Sequence, residues 1–260
     1  MQFGLTPDLR WTCRPAELIA AAATAGFDAV SVHADRVDPE TIDAYRRTGL
    51  RCPDVLALVV DDDERRILTA AEELSERARR TGADWVLTTF TVVPPERVLR
   101  RCAAALDAAG VGMAVEFSPL GPIATLADGL RMLSIAGGSA RAGLVVDSWH
   151  YCFGAGAFRD TAGAADSAFS ALASVPPADI AFVQFTDALP PESDRLLRET
   201  LHRRALPGEG VLALARFAGT LRERGFDGLV NAEVLSAALR DLAPAELARR
   251  LFESTVRYWR

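Results

Sequence analysis

Short apolar runs alternate with longer segments of helical periodicity along the whole chain. The runs are rich in Val, Leu, Phe and Ala, and apolar and polar residues do not alternate cleanly within them. This pattern is typical of parallel strands whose outer face is covered by helices. Eight such runs predict strands, at Gln2–Leu5, Asp28–His33, Val55–Val60, Asp84–Phe90, Val111–Phe117, Ala142–Asp147, Asp179–Thr186 and Gly228–Val234.

Helical patterns fill the intervals between these runs. Proline stands at three of their first turns, where a missing N–H is tolerated, and glycine follows five of their ends, where a left-handed cap is common. The patterns predict helices at Pro15–Ala25, Pro39–Thr48, Asp63–Thr81, Pro95–Ala109, Ile123–Ala136, Ala162–Val175, Val211–Arg224 and Ala243–Arg257.

The repeat length of this alternation indicates the fold class. The chain has 260 residues, so eight strand–helix units average about 32 residues each, which matches a (β/α)₈ barrel. No linker composition interrupts the units. We therefore predict an α/β fold, a single (β/α)₈ TIM barrel, with residues 1–260 forming one domain.

Composition excludes several function classes. The net charge is −6 and the 29 basic residues, all arginine, form no basic run, so we expect no nucleic-acid partner. The lack of lysine excludes Schiff-base chemistry and covalent pyridoxal phosphate. The four cysteines form no CxxC pair, as expected of reduced thiols in a cytoplasm. No apolar run approaches the ~18 residues of a membrane helix, so we expect a cytoplasmic protein with no membrane partner. The sequence leaves a homo-oligomer open.

Four neighbouring predicted strands end in oxygen-bearing side chains, namely Glu116, Asp147, Gln184 and Glu233. Barrel enzymes carry their chemistry at this end of the strands. Three unpaired carboxylates there would repel one another or take up protons, and a divalent cation resolves that conflict. Oxygen ligands favour Mg²⁺ or Mn²⁺, with Co²⁺ as an alternative. Each acid has another interpretation, since it could cap a helix or pair with an arginine.

The same residues carry a family resemblance. Together with His150 in the segment DSWH, with Asp187 and with the segment HRRALPGEG at 202–210, they resemble the xylose isomerase-like TIM barrels. That superfamily contains sugar-phosphate isomerases and epimerases, inosose dehydratases, 3-dehydroshikimate dehydratases and endonuclease IV. The resemblance implies one divalent metal ion held by Glu116, Asp147, Gln184 and Glu233. Gln184 stands where the sugar epimerases usually carry histidine and looks more like the 3-dehydroshikimate dehydratase branch.

Further site residues follow from the resemblance. Arg204 aligns with the arginine of the family's RxxPGEG pattern, and its planar guanidinium can grip a carboxylate, phosphate or enediolate. Glu209 would then orient Arg204. His150 would reach a substrate oxygen or proton, and a histidine that titrates near neutrality suits acid–base work.

Three more side chains are substrate-binding candidates with structural alternatives. His202 either contacts substrate or holds its loop, and His33 either lines the mouth or is structural. Trp149 is among the aromatic residues that follow strand ends, where packing is the common role.

The leading hypothesis is a divalent-metal-dependent isomerase or epimerase of a small polyhydroxylated carbonyl compound, an anionic one included. Proton abstraction next to the carbonyl would give a metal-stabilised enediolate, with Glu116 and Glu233 serving as ligand and base. The alternative is a dehydratase of the 3-dehydroshikimate or inosose type, with His150 as proton donor. A non-catalytic ligand-binding barrel and an endonuclease IV-like repair enzyme rank below these. Only three histidines are present, too few for the histidine-rich zinc site of the repair enzymes.

Overall fold

Eight parallel β-strands form a barrel in the computed structural model, which describes residues 1–138, 140–154 and 164–260. Seven are single strands and the second is split by one residue. The strands are β1 (Gln2–Leu5), β2 (Ala29–Val30 and Val32–His33), β3 (Asp54–Val60), β4 (Trp85–Phe90), β5 (Gly112–Glu116), β6 (Ala142–Asp147), β7 (Ile180–Phe185) and β8 (Leu229–Ala232).

The pairing register closes the barrel. β1 lies between β8 and the first piece of β2, whereas the second piece of β2 pairs with β3. The remaining neighbours follow in chain order from β3 to β8, and every pair is parallel. The predicted TIM barrel is therefore confirmed.

Helices cover the outside of this sheet and lie close to their predicted positions. They are α1 (Pro15–Ala25), α2 (Pro39–Thr48), α3 (Glu64–Thr81), α4 (Glu96–Ala108), α5 (Leu126–Ala136), α6 (Ser148–Gly154), α7 (Ala164–Ala173), α8 (Leu196–His202), α9 (Leu214–Glu223) and α10 (Pro244–Val256). The helices α6 and α8 were not predicted, because each is only seven residues long and lies in a loop after a strand. The start of the predicted helix Ala162–Val175 lies outside the described residues.

Local chemistry explains where the outer helices begin and end. Asp38 caps α2 by accepting a hydrogen bond from the Thr41 N–H at 2.7 Å. Gly26 and Gly49, which follow α1 and α2, have φ angles of 101° and 74°. This left-handed conformation favours glycine. The predicted glycine caps at these two ends are thus confirmed.

The barrel interior holds its own apolar cluster, separate from the larger core between sheet and helices. Its members are Ala29, Leu56, Leu87, Ala114, Val145, Phe182 and Leu229. Strand side chains alternate between the two faces of a sheet. The residues two positions after Ala114, Val145 and Phe182 therefore face the same interior, closer to the carboxyl end of the barrel.

None of the helices in the described parts of the chain has the length and apolar character needed to span a bilayer.

We predict that Phe182→Ala lowers the free energy of unfolding by about 3–5 kcal/mol, because it leaves a cavity inside a closed barrel. Urea unfolding followed by circular dichroism measures the change. Leu197→Ala is the matched control, since Leu197 is 58% exposed and its truncation should cost less than about 0.5 kcal/mol. A loss below about 1 kcal/mol in Phe182→Ala would contradict its place in the interior.

Candidate metal centre

The four predicted ligands lie at one end of the barrel interior and are all buried. Gln184 is in register with Asp147 on one side and with Asn231 on the other, so β6, β7 and β8 present their ends at the same level. Gln184 Nε2 donates a 3.0 Å hydrogen bond to Glu233 Oε1. The sequence prediction that these strand ends converge agrees with this geometry, whereas metal binding by them stays a prediction.

Arg204 joins two of the carboxylates. Its Nη1 donates to Asp147 Oδ2 at 2.7 Å and to Glu233 Oε2 at 2.9 Å. Thr200 Oγ1 accepts from Nε and Nη2 of the same guanidinium, at 3.1 and 3.0 Å. Because Arg204 is 1% exposed, this pairing is shielded from solvent.

The DxxH spacing is explained by a helix cap. The helix α6 begins directly after Asp147, whose Oδ1 accepts a 2.8 Å hydrogen bond from the backbone N–H of His150. An aspartate at the N-cap bonds the third helical residue in this way. The cap places the imidazole with Nε2 3.8 Å from Glu116 Oε1 and Nδ1 3.1 Å from Ser118 Oγ.

Negative charge exceeds positive charge in this cluster. Burial raises the pKa of Glu116 well above its ordinary value, and Glu233 and Asp147 reinforce the effect. Burial also raises the pKa of Glu233 to about 8, although Arg204 opposes it. Burial disfavours ionised Asp147 as well, but Arg204 and His150 outweigh it and hold its pKa below the ordinary value. The Arg204 guanidinium thus stabilises the ionised form of Asp147, whereas the ionised forms of Glu116 and Glu233 remain unfavourable.

The expectation that His150 titrates near neutrality is wrong. Burial lowers its pKa to about 4, and Arg204 adds to the effect while Asp147 opposes it. The imidazole is therefore neutral at physiological pH. In this form one ring nitrogen donates a hydrogen bond and the other accepts one, and the ring does not have the acidic proton of an imidazolium.

The donor set fits a divalent cation. Ligand atoms of Glu116, Asp147 and His150 all lie within 4.8 Å of one another. Gln184 Oε1 is buried without a hydrogen-bond partner among the described residues, as expected of an oxygen that serves as a ligand to a cation. Each carboxylate oxygen has more than one lone pair, so the contacts of Asp147 with Arg204 do not exhaust it.

A second carboxylate fixes the loop that carries Arg204. Asp187 Oδ2 accepts hydrogen bonds from the backbone N–H groups of Gly208 and Gly210, at 3.0 and 3.1 Å. Its Oδ1 accepts from those of Ala188 and Leu212, at 2.8 and 2.9 Å. We call this arrangement the Asp187 clamp. It binds the PGEG segment to the end of β7.

The clamp also explains the glycine at position 210 and the course of the chain near Arg204. A Cβ on Gly210 would lie 2.4 Å from Asp187 Oδ1 and 2.2 Å from the Ala188 carbonyl oxygen. Arg204 pairs with Ala188 in a short antiparallel ladder, and Ala205 pairs with Asp187. The clamp and the ladder together fix the backbone from which the guanidinium extends.

Two predicted roles differ from the observed geometry. Glu209 does not orient Arg204: it is exposed, and its Oε1 lies 3.4 Å from Arg250 Nη2. Trp149 is 0% exposed and stacks on Phe153 at 4.0 Å, with the Arg204 guanidinium 5.6 Å from its ring. Its indole therefore supports Arg204 and offers no surface to a ligand.

The other two histidines lie apart from the carboxylates. His33 Nε2 contacts the Pro7 carbonyl oxygen at 3.0 Å and the residue lines an apolar cavity with Trp11 and Tyr45. His202 is exposed at the end of α8, and its Nδ1 lies 3.1 Å from Arg240 Nη2. Substrate binding by either one stays a prediction.

Sequence reasoning missed two residues that contact the cluster. Ser118 lies two positions beyond the end of β5 and contacts His150. Thr200 lies on the unpredicted helix α8, four residues before Arg204, and bonds the guanidinium twice. The four-residue spacing between Thr200 and Arg204 would have indicated this contact only if the helix α8 had been predicted.

A further buried polar group centres on Asp54. Asp54 is fully buried at the start of β3, and its Oδ1 accepts hydrogen bonds from Ser31 Oγ at 2.6 Å and from Asn231 Nδ2 at 3.3 Å. Its Oδ2 has no partner among the described residues. Burial raises the pKa of Asp54 to about 7, although both hydrogen bonds oppose it. Burial therefore makes ionisation of Asp54 less favourable than that of an aspartate in water.

Comparison with known proteins identifies the family. A family model described as "Xylose isomerase-like TIM barrel" matches residues 19–255. No curated protein matches the sequence.

Solved structures share the fold at low sequence identity. A xylose isomerase-like TIM barrel/4-hydroxyphenylpyruvate dioxygenase fusion protein is 20% identical with a TM-score of 0.82, covering 98% of this chain and 42% of that one. The IolI protein, solved with a bound zinc atom, is 19% identical with a TM-score of 0.82, covering 100% and 98%. D-Psicose 3-epimerase from Clostridium cellulolyticum H10, solved with D-tagatose, is 14% identical with a TM-score of 0.68, covering 99% and 98%. The chain therefore spans less than half of the fusion protein's length, and these likenesses establish the fold.

We predict that Asp54→Asn flattens the dependence of stability on pH. An aspartate in the unfolded chain has a pKa of about 3.9, whereas burial raises that of folded Asp54 to about 7. Between these values the folded state holds a proton that the unfolded state releases, so this group lowers stability as pH rises. Relative to wild type, the variant should gain roughly 2–4 kcal/mol between pH 4 and pH 8.

Urea unfolding at a series of pH values measures this gain. The charge of Asp54 also adds to the raised pKa of Glu116 and of Glu233. Its removal therefore lowers their slopes in the same direction, and the difference between the two curves measures Asp54 together with this coupling. Parallel curves would show that Asp54 is ionised in the folded protein throughout this range.

We predict that Asp187→Asn loosens the PGEG segment, because an amide has one acceptor oxygen where the carboxylate has two. The backbone amides of Gly208, Gly210 and Leu212 should exchange with deuterium at least about tenfold faster, equivalent to about 1.4 kcal/mol of lost local stability. Hydrogen–deuterium exchange with mass spectrometry measures the rate. Glu209→Gln, an exposed change in the same segment, is the matched control and should exchange as wild type does. Equal protection in Asp187→Asn would disprove the clamp.

Proposed function

Because the chain belongs to the xylose isomerase-like TIM barrel family, we propose that it is a divalent-metal-dependent isomerase or epimerase of a small polyhydroxylated carbonyl compound. One observation carries the proposal. Two carboxylates from different strands, Glu116 and Glu233, share a buried site with a guanidinium and a neutral imidazole. This set can remove a proton from carbon and stabilise the charge that results.

The residues proposed to hold the metal are Glu116, Asp147, Gln184 and Glu233, with His150 close enough to Glu116 and Asp147 to join them. When bound, the ion would chelate neighbouring substrate oxygens and neutralise the negative charge of an enediolate. Mn²⁺ and Mg²⁺ suit the oxygen donors, with Co²⁺ as an alternative. Imidazole coordination would favour zinc more than the oxygen set alone does.

The acid–base roles follow from the environment of each carboxylate. A carboxylate whose pKa is raised toward neutrality is a stronger base than one in water, and burial raises the pKa of both Glu116 and Glu233. We assign proton removal and return to these two residues. Asp147 is held ionised by Arg204 and His150 and is therefore suited to constant ligation.

Arg204 would position the carboxylates and His150 would orient the substrate. The guanidinium is 1% exposed and its Nη2 lies 3.4 Å from His150 Nε2, so Arg204 would act through His150 and the carboxylates that it contacts, and the imidazole would contact the substrate. His150 is itself oriented by Ser118 and by its backbone bond to Asp147. These contacts hold the imidazole in one position without a charge of its own.

A dehydratase of the 3-dehydroshikimate or inosose type is the second candidate. The glutamine at position 184 favours it by resemblance. The low pKa of His150 argues against it, because a departing hydroxide needs a proton that a neutral imidazole supplies poorly. We therefore rank the isomerase or epimerase first.

We predict that Glu233→Gln lowers turnover by about 10²–10⁴-fold while the fold is kept, because the amide has the shape of the carboxylate but is no base. The assay incubates a panel of ketoses, aldoses and sugar acids in deuterated water with Mn²⁺, Mg²⁺, Co²⁺ or Zn²⁺. Nuclear magnetic resonance then detects deuterium at the carbon next to the carbonyl and any new isomer. Glu209→Gln is the exposed control and should keep wild-type turnover.

The same assay separates the candidates. Deuterium incorporation without loss of water supports the isomerase or epimerase, whereas a rising enone or aromatic absorbance supports the dehydratase. Chelator should abolish turnover and the added ion should restore it. Wild-type turnover in Glu233→Gln, or turnover indifferent to chelator, would overturn the proposal.

A further inference from the structure

A group of basic side chains surrounds His202 at the carboxyl end of the barrel. His202 Nδ1 lies 3.1 Å from Arg240 Nη2 and 3.5 Å from Arg10 Nη1. Arg198 stands one helical turn before His202 on α8 and acts on the imidazole electrostatically. Arg10 follows β1 and Arg240 follows β8, so three separate segments contribute. We call these four residues the His202 cluster.

Positive charge is in excess within the His202 cluster. Arg10 has an acidic partner, since its Nη2 lies 2.6 Å from Asp8 Oδ2. Arg240 and Arg198 have no carboxylate partner among the described residues. Arg240 Nε is moreover buried without a hydrogen-bond acceptor in the described part of the chain. A buried unpaired donor on a cation indicates that an acceptor is missing.

The imidazole cannot supply the missing negative charge. Two guanidiniums direct N–H groups at the single lone pair of Nδ1, so the ring accepts as a neutral base. Desolvation, Arg10, Arg240 and Arg198 together lower the pKa of His202, and only Asp8 opposes them. In a chain whose net charge is −6, this local positive excess is unusual and suits an oxyanion.

The His202 cluster is also close to the proposed catalytic residues. His202 precedes Arg204 by two residues, which limits their Cα separation to about 7 Å. Arg204 bonds Glu233 through its side chain and Leu235 through its backbone, with N···O distances of 2.9 and 3.2 Å. An extended open-chain sugar that contacts His150 beside Arg204 with one end could therefore reach His202 with the other.

We propose that the His202 cluster binds an anionic terminus of the substrate, so that the enzyme acts on a sugar acid or a sugar phosphate. The inference rests on the proposed function and narrows its substrate class. Arg240 and Arg198 would contact the oxyanion directly, and His202 would add a hydrogen bond. Carboxylate and phosphate share this chemistry, and guanidinium groups bind both.

The experiment observes binding and needs no turnover. The chain has three histidines, so the imidazole resonance of His202 can be assigned by comparison with His202→Gln. The probes are inorganic phosphate, gluconate and uncharged sorbitol, added to the whole protein at constant ionic strength. An anion placed among the arginines should raise the pKa of His202 by about one unit, while the resonance of His33 stays in place.

Arg240→Gln should weaken this response about tenfold in apparent affinity. The matched control is Arg224→Gln, an exposed arginine after α9 at the opposite end of the barrel, which should respond as wild type does. Arg198→Gln provides a second test if Arg240→Gln unfolds, which thermal unfolding reveals.

Each outcome decides the proposal. A response to phosphate alone indicates a sugar phosphate, and a response to gluconate indicates a sugar acid. No response to either anion, or an equal response to sorbitol, would overturn the anion site. Failure of the anion site would not affect the test of the proposed function by Glu233→Gln, because that assay does not depend on the His202 cluster.

Discussion

The site depends on one electrostatic constraint, which is the crowding of three carboxylates at the end of a low-dielectric barrel. Arg204 is the only cation in contact with them among the described residues, and its Nη1 bonds both Asp147 and Glu233. Removal of an ion pair's partner inside a protein leaves an uncompensated charge and is strongly destabilising. The position of this guanidinium therefore determines which carboxylate stays ionised and which ones retain protons.

Most of the surrounding architecture fixes that guanidinium. Thr200 bonds it from α8, Trp149 packs against it from α6, and the Asp187 clamp fixes the backbone that follows it. The two short helices that sequence patterns did not predict are thus the ones that support the arginine. Loops of a barrel carry function because the rigid strands beneath them position such additions.

The sequence predicted what depends on periodicity and position. Strand-end residues such as Asp147 and Gln184 could be predicted to converge, because parallel barrel strands present their ends at one rim. The contact of Arg204 with Glu233, and the exposure of Glu209, depend on how the loops after β7 and β8 pack. The pKa of His150 could not be predicted either, because its shift arises from burial. The spacing between Asp147 and His150 does not show how deeply the imidazole is buried.

The DxxH segment shows how one carboxylate has two partners at once. Asp147 caps α6 through Oδ1 and bonds Arg204 through Oδ2, which are the two structural alternatives to metal binding, whereas metal binding by Asp147 stays a proposal. A carboxylate has two oxygens, so the two roles do not compete. The cap also fixes the distance between His150 and Glu116. An aspartate that ends a strand and begins a helix can therefore cap the helix and bind a second group at once, and the helix it starts determines where the histidine lies.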